Sequence, residues 1–282
     1  MVNRLLGLIA LALAPLHAAA EIPPVAGFMW QLHEKMAEAR GNWHLLGARE
    51  LILQWAAVDG IAYVPGLKLR TSARVPDWER IGREPWAERV IVGLSGRMDE
   101  QTARRSLPAM LEESLAVSRL KFPFKVSGWY FPAEVDPIWK DAPTVLPPVL
   151  NKLPRPLWIS VYDGEGIGPE KFASWLASWL PADVNVLFQD GIGAHGRSVP
   201  EAREYADVLS KALGKNRFAI MVEAFRAENG KFRPATAAEL RPQLIAFSGY
   251  RLYLFDGPHY VPDRVVEELV ADRTTGKRRR AR

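Results

Sequence analysis

The chain has 282 residues, 48% hydrophobic and 24% charged, with a formal net charge of +5 and no cysteine. Those values describe a folded globular protein long enough to bury a large core, and they exclude a disordered or low-complexity chain. Without cysteine there is no disulfide framework, no thiolate metal site and no thiol nucleophile, so stability has to come from an ordinary core.

The opening residues read MVNR, LLGLIALALAPL and HAAAE, a basic start, an apolar run and a small-residue A-x-A site. That layout predicts a secretory signal peptide over 1–20, cleaved after Ala20, and hence a periplasmic or secreted protein. The run is too short for a bilayer, which takes roughly 20 apolar residues, and no later stretch reaches that length. No stable membrane span is expected. The main domain is then 21–272, and the final RTTGKRRRAR, 273–282, reads as a basic, solvated and disordered tail.

From Val25 onward, strand-like and helix-like runs alternate, with no internal repeat and no linker. VAGFMWQ (25–31) is the first expected strand, and the apolar ELILQWAAVDG (50–60) is the second. A long loop with a short helix is expected between Tyr63 and Trp86. RVIVGLSG (89–96) is the third strand, and Asp99 then caps a helix reaching roughly Arg119, with Leu107, Leu111, Leu115 and either Val117 or Leu120 on its inner face. Strand four runs from Val126 to Phe131 and ends at Glu134. Asp136-Pro137 has the form of a helix start.

PLWISVYDGEG (156–166) supplies strand five and a glycine-rich acidic loop. Pro169 opens a helix whose Phe172, Trp175, Leu176 and Trp179 recur at helical spacing, as packing residues do. VNVLFQDGIGAHG (184–196) is strand six with a second glycine-rich loop. Ser198 and Gly214 bound the next helix. Strand seven, Phe218 to Val222, ends at Glu223. A helix from Thr236 to Phe247 leads to strand eight, RLYLFDGPHY (251–260), and Pro262 begins the last helix.

Eight strands in strict alternation with crossovers predict an α/β fold, a single (β/α)8 TIM barrel of parallel strands. The competing doubly wound sheet would carry a phosphate-binding glycine loop after its first strand, and FMWQLHEK has none. In such a barrel, functional groups follow the strands on the carboxyl-end rim. There the chain offers Gln31, Gln54, Trp55, Tyr130, Glu134, Tyr162, Gln189, Asp190, His195, Glu223 and Tyr260. Amides and carboxylates suit sugar hydroxyls, and flat aromatic faces suit sugar C–H surfaces. The expected ligand is a polysaccharide or oligosaccharide.

The spacing of ILQW, WYFPAEVD, LFQDGIG and VEAF resembles an uncharacterised group of bacterial secreted proteins placed with the glycosidase TIM barrels. The resemblance covers Phe28 to Tyr260. It implies an acid/base glutamate after strand four and a nucleophilic glutamate after strand seven, which fall on Glu134 and Glu223. Ala133 stands where the wider set has an asparagine for the sugar's 2-hydroxyl. Either Gln189 does that work or the geometry differs. The expected function is hydrolysis of a glycosidic bond with retention, and the alternative is a non-catalytic glycan-binding barrel in exopolysaccharide secretion or envelope assembly.

Other chemistry fits less well. Two rim histidines, His195 and His259, are too sparse for a metal site, and no cofactor fingerprint occurs, so neither metal nor cofactor is expected. GLSGR around Ser95 lacks the hydrolase elbow spacing. Nucleic-acid binding would rest on the basic tail alone. Asp163 in YDGEG reads as a turn aspartate bonding its own backbone, whereas Asp190, which directly follows Gln189 at a strand end, reads either as such a turn residue or as a substrate contact.

Overall fold

The computed structural model describes residues 21–194 and 196–280. The expected signal peptide and His195 lie outside them. Eight parallel strands close into a barrel: Gly27–Trp30, Glu50–Leu53, Arg89–Gly93, Val126–Val135, Leu157–Val161, Val184–Gln189, Phe218–Glu223 and Leu252–Phe255. Each pairs with its neighbours in sequence, and the first pairs with both the second and the eighth. This is the expected TIM barrel.

Strand geometry sends alternate side chains to opposite faces. Met29, Ile52, Ile91, Tyr130, Trp158, Leu187, Ala219, Met221 and Tyr253 point inward and fill the barrel. Their neighbours face outward into the larger layer beneath the helices. The amino-end floor is ionic: Glu50 receives Arg89 at 2.6 Å and also pairs with Arg251 and Tyr253. Gly27 of strand one lies against Glu50 of strand two, and a Cβ there would collide with the Glu50 carbonyl oxygen. Gly27→Ala is therefore expected to cost about 3 kcal/mol or more, because backbone cannot step aside as a flexible side chain does. A urea midpoint indistinguishable from the parent's would contradict this.

The first two crossovers hold no long helix. A 3-10 turn, Trp43–Leu46, and a short helix, Trp78–Ile81, stand in for them. Buried aromatics close the gap: Phe28, Trp43 and Trp86 meet with ring centres 4.2–5.2 Å apart. Full burial of such a side chain contributes about 2–3 kcal/mol. On the opposite side the long helices Pro169–Trp179 and Val199–Leu213 pack as expected, the second behind a capping box of Ser198 and Glu201.

Four local expectations need correction. The helix after Asp99 is broken into Glu100–Arg105 and Leu107–Val117, because Pro108 in the second segment's first turn has no N–H to continue the ladder. Its fully buried stripe is Leu107, Met110, Ser114 and Val117, while Leu111 and Leu115 pack against the core only partly buried. Asp136-Pro137 makes a turn, and the helix starts later, at Ala142–Leu150. After strand seven comes an unexpected antiparallel hairpin, Phe225–Glu228 with Lys231–Pro234. The last helix is Asp263–Arg280. No helix among the described residues is long and apolar enough to cross a membrane.

Candidate functional site

Strand four is the irregular member of the barrel. Tyr130 lies opposite Trp158 and Glu134 opposite Ser160, so four residues on one strand match two on the other. Pro132, which has no N–H for the ladder, lies inside this bulge. Without the two extra residues, residue 132 would face Ser160. With them, Glu134 keeps the inward parity of Tyr130 but sits lower, level with Ser160.

Glu134 lines a cavity of about 100 Å³ at the carboxyl-end mouth, together with Gln31, Gln54, Trp55 and Tyr130. The first two belong to the inward parity of strands one and two. Trp55 is fixed by its ring N–H on the Leu32 carbonyl at 2.6 Å, and the Tyr130 hydroxyl meets the Ser160 hydroxyl at 2.8 Å. The other wall is helix Glu100–Arg105, which brings Glu100 and Arg104, with Arg97 and Trp139 beside them. Glu100, Arg104 and Trp139 were not foreseen from sequence. The helix lies across the mouth because the chain breaks at Ser106.

Gln189, at the end of strand six, donates its amide to Glu134 at 3.3 Å. Burial pushes the Glu134 carboxyl up, the Glu100 carboxyl hydrogen-bonded beside it raises it further, and Glu223 adds a smaller push, to about 7. Glu223 has the inward parity of strand seven but is only 6% exposed. Its carboxylate accepts the Ala194 N–H at 3.0 Å from the loop after strand six. That loop rests on Glu223 at Gly193, where a Cβ would come within 2.8 Å of the Glu223 Cβ and 2.5 Å of the Phe225 carbonyl. Burial and then the neighbouring Asp190 charge raise Glu223 to about 7, against the pull of the Ala194 and Gly193 N–H groups.

Gln189, Glu223 and the remaining expected site residues do not line this cavity. Asp190 is fully buried beneath Glu223 instead of reaching the mouth. It accepts the N–H groups of Ile192 and Glu223, both at 3.2 Å, and the amide of Gln243. Burial lifts it to about 6 despite those donors. Gln243 in turn accepts from Arg226 at 2.9 Å, so one closed polar network supports the end of strand seven. Tyr162 has Arg197 over its ring at 4.8 Å, and Tyr260 packs on Phe225 at 5.2 Å between ring centres. Asp163 accepts the N–H groups of Gly166, Ile167 and Gly168, which is the turn role expected of it.

No protein-family model and no curated protein matches the chain. The resemblance to glycosidase barrels therefore rests on the quoted motifs. Among solved structures, the chain is similar to a xylose isomerase domain protein from Alicyclobacillus acidocaldarius, with 15% identity, 72% of this chain and 91% of that chain covered, and a TM-score of 0.29. At that score the likeness adds nothing to the barrel seen directly in the strand pairing.

Proposed function

We propose that this barrel hydrolyses a glycosidic bond of a polysaccharide outside the cytoplasm, with Glu134 as general acid/base and Glu223 as nucleophile. The observation that carries the reading is the placement of both carboxyls, on the inward parity at the carboxyl ends of strands four and seven of one closed barrel. Glu134 faces the cavity in an environment that keeps its proton near neutral pH, as a general acid requires. In the first step Glu134 protonates the leaving oxygen while Glu223 attacks the anomeric carbon. In the second, Glu134 takes a proton from water, which displaces Glu223.

The test is the pH profile of turnover. The productive form has Glu134 protonated and Glu223 ionised, and both titrate near 7. The expected kcat/KM profile is a narrow bell centred near 7, whose two limbs belong to the coupled pair. Rising pH removes the acid's proton, and falling pH protonates the nucleophile. Glu134→Ala is expected to remove the alkaline limb and lower kcat by about 10²–10⁴-fold. An alkaline limb persisting in that variant would take the acid role from Glu134.

A second reading, glycan binding without cleavage, is favoured by two features. Glu223 is roofed by the Gly193 loop, and the cavity is smaller than the roughly 300–1,000 Å³ of ordinary ligand sites. Under that reading, changing Trp55 weakens glycan binding more than changing either glutamate does.

A further inference from the structure

Two polar atoms in the cavity wall are buried without a hydrogen-bond partner, the Gln54 Oε1 acceptor and the Arg104 Nε donor. Gln54 is only 7% exposed, so its orphaned oxygen is a real desolvation cost unless a ligand meets it. Arg104 is held in place by stacking 5.4 Å from the centre of the Trp139 ring. Its Nη2 donates to Glu100 Oε2 at 2.8 Å. The neighbouring Arg97 differs, being occupied by both oxygens of Glu113 at 2.9 Å.

Arg104 therefore holds a carboxylate by one bond where its Nε/Nη2 edge offers two parallel donors, the geometry that fits a carboxylate in a bidentate pair. Building on the glycosidase reading, we propose that the cavity binds a uronic acid unit, whose carboxylate takes the Arg104 edge in place of Glu100 while a ring hydroxyl donates to Gln54. Glu100 takes the place of the sugar's carboxylate on Arg104. Exchange of one carboxylate for another leaves the charge of the cavity unchanged, so Arg104 is never left without a counter-ion. Glu100 can withdraw, because its side chain is 53% exposed and its ion pair is of the surface kind that contributes little, and what it gives up besides is the hydrogen bond to the Glu134 carboxyl.

The test is calorimetric titration of the full folded chain with trimers of galacturonate, glucuronate and mannuronate, each against the trimer of the corresponding neutral sugar. At least one uronate is expected to bind about 10-fold or more tighter than its neutral counterpart. Arg104→Met is expected to abolish that preference. Glu100→Gln, which removes the internal competitor's charge, is expected to tighten uronate binding severalfold, a gain that misfolding cannot mimic. The proposal is overturned by equal affinities, by a preference that survives Arg104→Met, or by Glu100→Gln failing to tighten binding. Cleavage of neutral glycans that depends on Glu223 would remove the acidic sugar and keep the hydrolase. Arg104-dependent uronate binding by a protein that cleaves nothing would keep the site and remove the hydrolase.

Discussion

Glu223→Gln is expected to lower kcat on a cleaved glycan by about 10⁴-fold while the protein becomes more stable at pH 8 than its parent. The two effects share one cause. Gln is nearly isosteric and keeps one oxygen for the Ala194 N–H, so the loop over it has no reason to move. It cannot attack an anomeric carbon, so the covalent step is lost. The sign of the stability change follows from the titration. A glutamate ordinarily ionises near 4.5, and this one does so near 7 when folded. Between those values the folded state holds a proton that the unfolded state has released, so parent stability falls as pH rises through that window. The amide escapes that slope, and its advantage above pH 7 is at most about 3 kcal/mol. Thermal melts at pH 5 and pH 8, beside turnover, check both halves. Turnover that survives removes Glu223 from the chemistry. Turnover lost together with stability at pH 8 would mean the residue is part of the scaffold alone.

The second large effect is expected at Gln243, which touches no ligand. Gln243→Leu preserves volume but leaves the Asp190 carboxylate without the amide and Arg226 without the amide oxygen, both deep in the fold. Breaking such a buried network from one side costs about 3–5 kcal/mol. The loss has a pH signature that a simple packing defect lacks. Asp190 already titrates near 6 because burial outweighs its donors, and removal of Gln243, the strongest of them, moves it higher. Below that value the carboxyl is neutral and its isolation matters less. Urea unfolding is therefore expected to show a larger deficit at pH 8 than at pH 5, and equal deficits would assign the loss to packing.

Much of the barrel was legible in the chain because each strand is a short apolar run and the connections carry ordinary caps. Ser198 and Glu201, or Thr236 and Glu239, announce their helices within four residues. Glu134 and Glu223 were legible for the same reason, since each closes such a run. What could not be read depends on chain path instead of local pattern. Glu100 reaches the cavity only because Pro108 splits a helix that hydrophobic spacing alone would continue. Asp190 read as a rim carboxylate, yet parity turns it away from the barrel axis, between strands six and seven and the helix carrying Gln243. The hairpin after strand seven did have a local signal, the Asn229-Gly230 pair, both with positive φ, but charged residues on either side hid its strands.

The bulge in strand four turns a count of residues into a depth. A side chain's rotamer can be relaxed by its neighbours, but the height at which a strand presents a residue changes only in whole steps along the ladder. Straightening the bulge with Pro132 and Ala133 both kept would leave the glutamate its direction and raise it by two such steps, out of the cavity and away from Gln189. The acid's depth is thus set by the bulge, in which four residues span two steps of the ladder and hold Glu134 level with Ser160.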